Sequence, residues 1–431
     1  MRHRGFASMC LLTATAAVGS LLALDRPIVL AQRSSAAALH DDAIVVDGHK
    51  HITNRVYWEG IDPWKVQQTG LDDYARSKQG GLDVAIEQVW IDNPYNNYNY
   101  TVKQACRLIE TFYQVLDANR DKMELALSAV DVRRIVGNRK MAVILALEGG
   151  FDMDGDLDVL RLFYRLGVRM VQFTNHNTTN AFADAGVGEQ QWRGINDHGR
   201  AVIREMNRLG IMIDISHASD AAQLQIIEAS AAPVVASHHG LRHFSDVQRN
   251  LPDAVLKALA AKGGVVGIHS SANFLSQKYE DWARNRPATQ GPSTGRRPEP
   301  LVLAPTQDYG QYIAMLDARN RDNWRRNFMR PWRELQQDVI DAGGPLPTVD
   351  DWADHVDYAV KLVGDDYIGI GTDMQAGPNM RDFDATSYPR STEVLLARGY
   401  TPTRIRKILG GNWLRVLASA QVTPTGTATR R

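Results

Sequence analysis

Cysteine is nearly absent from this chain: 431 residues contain two, Cys10 and Cys106. Cys10 falls inside an N-terminal stretch that reads as a secretory leader. Cys106 is then the only cysteine of the mature chain, and no intramolecular disulfide can form. An exported protein of this kind has to be stabilised by its core or by bound metal. Net charge is lacking too, since 49 Lys+Arg offset 49 Asp+Glu. That balance removes the electrostatic footprint of a nucleic-acid partner. No glycine-rich phosphate loop follows the first strand-like run, which weakens a dinucleotide-binding open sheet. Beyond the leader, no segment has the length and apolarity of a membrane span.

The leader itself covers residues 1–31. Met1-Arg2-His3-Arg4 is a basic start, Phe6 to Leu24 is apolar and rich in Ala and Leu, and Val29-Leu30-Ala31 fits a small-residue cleavage site. The competing reading is an uncleaved anchor, against which stand the many Ala, Ser, Thr and Gly residues of the stretch. The expected location is periplasmic or secreted, with no stable membrane span in the mature chain.

What is present is a repeated pattern. Eight short runs rich in β-branched residues recur: Ala43 to His51, Val84 to Trp90, Met141 to Glu148, Val168 to His176, Ile211 to His217, Pro233 to His238, Gly263 to His269 and Tyr367 to Asp373. Most are continuously apolar, as parallel strands buried on both faces are. Helix-period segments lie between them, among them Val102 to Leu116, Gly199 to Leu209 ending at Gly210, and Pro252 to Lys262 with Asn250 as its cap. Eight strand–helix alternations predict an α/β fold, a (β/α)8 TIM barrel over residues 41–420. An open doubly wound sheet is the runner-up.

Two features exceed a minimal barrel. Residues before Asp41 and the tail at 421–431 are polar, small-residue stretches, predicted to be disordered. A long insertion at 270–350 separates the last two strands. Its Arg286 to Pro305 part is Pro/Gly-rich, and Asp317 to Ala342 is predicted helical, with Trp324, Phe328, Trp332, Leu335 and Val339 in one stripe and Pro331 as a kink. Arg319, Arg321, Arg325, Arg326, Arg330 and Arg333 crowd this segment. They read as a solvated helix face, or as a lid meeting substrate or a second subunit; a homodimer is compatible with the latter.

The chemistry-bearing residues cluster at strand ends. In Ile44-Val45-Val46-Asp47-Gly48-His49-Lys50-His51, two histidines one residue apart would aim at one spot. Glu148, His176, His217, His238, His269 and Asp373 end later runs. In a barrel the active site lies at the carboxyl ends of the strands, so these residues together predict a metal site. His239 and His243 read as loop residues, and His198 and His355 as structural ones.

The stretch Trp192-Arg193-Gly194-Ile195-Asn196-Asp197, through Arg204-Glu205-Met206-Asn207-Arg208-Leu209-Gly210 to Asp214-Ile215-Ser216-His217, resembles the membrane dipeptidase (renal dipeptidase) family of zinc peptidases. Arg249-Asn250-Leu251-Pro252-Asp253 and Gly410-Gly411-Asn412-Trp413-Leu414-Arg415-Val416 extend the resemblance from about Asp41 to Ala420, the insertion excepted. It implies two Zn2+ per chain: His49 and His51 on the first, His217 and His238 on the second, Glu148 bridging. It places His176 near the scissile carbonyl, Arg249 on the substrate carboxylate and Asp373 on the metal-bound water. The implied reaction is hydrolysis of a dipeptide or N-acyl amino acid by a hydroxide held between two metals. One position departs: the family pattern is His-x-Asp, and here His51 replaces the carboxylate, which removes a negative charge and should make bound water more acidic. The alternatives are a hydrolase of another small amide or lactone on the same barrel, and a non-catalytic periplasmic binding protein with a drifted site.

Overall fold

The computed structural model describes residues 35–286, 308–375 and 377–422. The leader at 1–31, most of the Pro/Gly-rich Arg286 to Pro305 stretch and residues 423–431 of the tail lie outside the described residues. Nine parallel strands form one sheet: β1 Val46–Lys50, β2 Val84–Trp90, β3 Met123–Leu125, β4 Met141–Glu148, β5 Val168–Gln172, β6 Met212–Asp214, β7 Val235–His239, β8 Val265–Ile268 and β9 Ile368–Ile370. Eight of them close a (β/α)8 barrel in the order β1-β2-β4-β5-β6-β7-β8-β9. The closing pair is Asp47 with Ile370. These eight are the predicted runs. The additional β3 lies beside the start of β4, Met123 against Met141, and at three residues it was too short to show a periodicity.

The eight barrel strands are buried except at Trp90, the last residue of β2, which is why most of their sequences read as unbroken apolar runs. One core cluster joins alternate strand residues (Val46, Val84, Ile144, Met170, Met212, Val235 and Val265) to Trp413 and Leu417 of the C-terminal helix Asn412–Val422. Trp413 donates to Ile370 O at 3.1 Å and packs flat on Gly48, where an added Cβ would lie 2.1 Å from the indole. Only glycine fits between Asp47 and His49 for that reason.

Three expectations need correction. Residues 35–42 are helical, not disordered: Ala36, Leu39 and His40 are buried, and the His40 ring bonds Thr392 Oγ1 and Gly80 O. Gln421 and Val422 of the tail belong to the C-terminal helix. The helix Asp253–Ala261 starts from Pro252 without a side-chain cap, because the Asn250 amide is engaged by Ser245 O and Phe274 O.

The insertion forms helices on the barrel mouth. Tyr309–Phe328 and Trp332–Asp341 are separate helices that break at Pro331, whose ring cannot continue an α-helical ladder. Trp324, Trp332 and Val339 are buried, while Arg321, Arg325, Arg326, Arg330 and Arg333 are exposed, so those arginines form a solvated face. Asp317 anchors the first helix to the barrel, accepting from Tyr95 Oη at 2.6 Å and Arg107 Nη2 at 2.7 Å. Gln336 anchors the second, bonding Met380 O and Asp382 N. No helix among the described residues is long and apolar enough to cross a membrane.

Candidate metal centre

The strand ends converge on Glu148, the last residue of β4. Its Oε2 lies 3.0 Å from His49 Nε2 and 3.1 Å from His51 Nε2. Its Oε1 lies 3.1 Å from His217 Nε2, and His238 Nε2 is 3.0 Å from His217 Nε2. His51 is brought in by the turn into the helix Ile52–Glu59, where it is the N-cap residue, rather than by a fully extended strand. Among the described residues, six besides glycine have positive φ, and three of these are His176, His217 and Asp373. Left-handed backbone is costly for such residues and accumulates at functional sites. Here it turns three side chains back over the barrel mouth.

Proton assignments follow from the outer ring of partners. Gln88 O lies 3.3 Å from His51 Nδ1, and Asn177 Oδ1 is 3.1 Å from His217 Nδ1; both are acceptors, so each Nδ1 carries a hydrogen. The Ser237 hydroxyl donates to Asp214 Oδ2 at 2.5 Å. Its lone pairs face His49 Nδ1 at 3.0 Å and His238 Nδ1 at 2.8 Å. All four Nε2 lone pairs are left pointing inward. Lone pairs about 3 Å from one another and from a carboxylate repel unless cations lie between them, and this donor set suits borderline-soft divalent metals. Two overlapping groups have ligand geometry: His49, His51 and Glu148, and Glu148, His176 and His217. A third, His49, Asp214 and His238, is spanned by the Ser237 hydroxyl.

The charges agree with that assignment. Burial works against ionisation of Glu148, but His49, His51 and the His217 hydrogen bond hold its carboxyl well below the usual range. Burial keeps His217 and His238 well below an ordinary imidazole, hence neutral. At His51 burial opposes charge, yet Glu148 and Asp373 raise its pKa well above normal: the position attracts a cation. Two further carboxylates hold the backbone. Asp47 Oδ1 accepts from the N–H of His49 at 3.2 Å and of Thr372 at 2.9 Å. Asp214 Oδ1 accepts from the N–H of Ser216 and of Ser237, each at 3.0 Å.

The remaining predicted residues surround this centre. Asp373 sits between two histidines, 3.3 Å from His51 Nε2 and 3.3 Å from His269 Nε2. Burial opposes its charge, but those two partners keep its carboxyl well below normal. His269 accepts the Ser271 N–H at Nδ1, so in the neutral ring its hydrogen is on Nε2, facing Asp373. His176 Nε2 is 3.5 Å from Glu148 Oε1, and burial lowers its pKa to about 4. Arg249 lies beside the second pair of imidazoles, its Nη2 donating to His238 O at 3.2 Å. Burial lowers its pKa to about 10, which leaves it cationic at neutral pH.

Several residues of this site were not foreseen. Trp90 ends β2, with its ring 6.0 Å from that of His51 and 5.7 Å from that of His176. Trp324 of the insertion lies 5.7 Å beyond it, and its indole is close enough to influence the buried Asp92. Ser237, Asp214 and His269 were visible as strand-end residues, but their partners come from other strands. Asp92 carried no signal beyond following a strand. His198 and His355 have structural partners, Gly155 O and Leu275 O.

The profile of a family described as "Membrane dipeptidase (Peptidase family M19)" matches residues 33–431. Dipeptidase tcpJ of Claviceps purpurea (strain 20.1) is 26% identical over 392 residues, covering 87% of this chain and 76% of that protein. Dipeptidase 3 of Rattus norvegicus is 27% identical over 403 residues, covering 90% of this chain and 67% of that protein. Among solved structures, the probable dipeptidase PvdM from Pseudomonas aeruginosa has a similar fold, with TM-score 0.71 and 23% identity over 91% of this chain and 99% of that one. So does a metallo peptidase from Rhodobacter sphaeroides liganded with a phosphinate mimic of the dipeptide L-Ala-D-Ala, with TM-score 0.66 and 20% identity over 88% of this chain and 100% of that one.

Proposed function

This chain belongs to the membrane dipeptidase family, peptidase family M19, and from that premise we propose that it hydrolyses the amide bond of dipeptides at a centre around Glu148 that would hold two zinc ions. Membership of a peptidase family sets aside the non-catalytic binding protein. When bound, such a pair supplies a Lewis acid for the scissile carbonyl and lowers the pKa of water so that it attacks at neutral pH.

The protein's own groups do the rest. His49 and His51 would hold one ion and His217 and His238 the other, with Glu148 available to both. Asp373, ionised and held by the His269 Nε2–H, takes the proton of the attacking water and delivers it to the leaving amine. His176, neutral at this pH, donates its N–H to the developing oxyanion. Arg249 receives the substrate carboxylate, which restricts the site to short substrates.

One observation supports this reading above the others: three imidazole Nε2 atoms lie within 3.1 Å of one carboxylate, each with its Nδ1 committed to a neighbour. The test is metal analysis of the purified protein with an assay on alanyl and glycyl dipeptides. About two zinc ions per chain and chelator-sensitive hydrolysis are expected. Neither metal nor hydrolysis with added zinc would sink the proposal. N-acyl amino acids and other small amides or lactones would meet the same machinery, so what separates these classes is whether the site holds a free ammonium.

A further inference from the structure

Asp92 follows β2 directly at the mouth of the barrel. It is 4% exposed, and its Oδ2 has no hydrogen-bond partner in the protein. It occupies the N-cap position of the short 3-10 helix Asn93–Asn99 but makes no side-chain capping bond. Burial is the main influence on it. Next come the Trp324 indole, its own backbone N–H, and the charges of His51 and Glu148. No lysine or arginine is among these main influences. A buried carboxylate with so few donors is costly, and burial pushes its pKa up to about 7. Nothing in the local backbone requires an aspartate here.

Across the mouth the converse holds. Arg249 has His239 Nδ1 at 3.4 Å and His238 O at 3.2 Å, its Nε is buried without a partner, and no carboxylate bonds it. The sheet order β2-β4-β5-β6-β7 places Asp92, after β2, four strands from Arg249, after β7. In an eight-stranded barrel that is the opposite rim. Glu148, which ends β4 on the same rim, acts electrostatically on both. A buried carboxylate with an unpartnered oxygen and a cation without a counter-ion, on opposite rims of the barrel mouth, match a molecule carrying the reverse charges at its two ends. A dipeptide is such a molecule, about 7 Å long when extended.

We propose that Asp92 binds the free α-ammonium of the substrate, under a roof formed by Trp324 of the insertion, so that the site selects zwitterionic dipeptides over N-acyl amino acids. This rests on the metallo-dipeptidase reading and deepens it. It also gives the insertion a function: Trp324 is fully buried, influences Asp92 and lies tilted against Trp90 at 5.7 Å, while the arginine-rich face of the same helix stays in solvent.

The test uses the zinc-loaded full chain and two matched substrates, Ala-Ala and propionyl-alanine, which differ only in the amino group. The wild type is expected to favour Ala-Ala in kcat/KM by at least about tenfold, the range of a charged hydrogen bond in a buried site. Asp92→Asn should lose at least about tenfold more on Ala-Ala than on propionyl-alanine, at unchanged zinc content. Equal losses on both substrates, or none, overturn the proposal. So does a wild type that turns over both equally, a result that needs no variant to fold. A wild type that hydrolyses neither while holding zinc overturns the dipeptidase reading itself, and this inference with it.

Discussion

Asp214 accepts the hydroxyl hydrogen of Ser237 across 2.5 Å, and this one bond determines how two candidate ligands present themselves. With its hydrogen committed, the Ser237 oxygen offers lone pairs to His49 Nδ1 and His238 Nδ1. A single hydroxyl therefore sets the tautomer of both imidazoles, and in the proposed assignment one of them belongs to each half of the centre. Outer partners of this kind orient ligands and raise their basicity.

Ser237→Ala should therefore weaken metal binding at both positions, by about 10- to 100-fold, without unfolding the barrel. Competition with a chromogenic zinc chelator, alongside a circular dichroism check, would measure it. Loss at only one position would show that the hydroxyl does not serve both halves.

His51→Asp restores the negative charge that the family pattern carries. The added anion should tighten zinc at the first position and make the attacking water less acidic. The variant should release zinc more slowly to a chelator, and the acid limb of its kcat profile should move to higher pH. A faster release would count against His51 as a ligand.

Asp373→Asn should keep both metals and lose about 10²- to 10⁴-fold in kcat, because the amide cannot accept the water's proton. Steady-state kinetics with metal analysis on the same preparation decides this. Full activity would remove Asp373 from the mechanism.

Asp317→Asn removes the carboxylate that holds the first insertion helix to Tyr95 and Arg107. The pair is partly exposed, so global stability should fall by only about 1 kcal/mol. Local opening should rise more, seen as faster trypsin cleavage after Arg321 and Arg325. Unchanged cleavage would mean that this anchor does not hold the helix down.

Glu87 lies beneath His51, accepting from Thr53 N and Tyr74 Oη, and burial raises its pKa from 4.5 to about 7. As pH rises, the unfolded chain gives up this proton first, so wild-type stability should fall between pH ~4.5 and ~7 and then level off. Glu87→Gln cannot titrate. Relative to the wild type it should gain up to about 3 kcal/mol between pH 5 and pH 8. Urea unfolding at those two pH values measures it, and parallel stabilities would contradict the assignment.

The eight barrel strands were legible because each is buried on both faces and so appears as an unbroken β-branched run. The ligand set was legible because barrel chemistry sits where such runs end. Asn250 misled as a helix cap, since its amide is taken by Ser245 O of its own loop and Phe274 O of the helix Ala272–Leu275. The helix at 35–42 was hidden because a stripe of Ala36, Leu39 and His40 is too short to stand out within a polar, small-residue stretch.

The sequence by itself determined the architecture, the family and the residues that meet at the centre, because burial periodicity and the position of a residue at a strand end are local properties of the chain. Only the tertiary structure decided which nitrogen of each histidine faces inward, that Ser237 bridges His49 and His238, that Trp324 of the insertion packs against Trp90, and that Asp92 and Arg249 stand on opposite rims. Those are contacts between segments far apart in the chain, created when the barrel closes, and no local pattern of residue types encodes them.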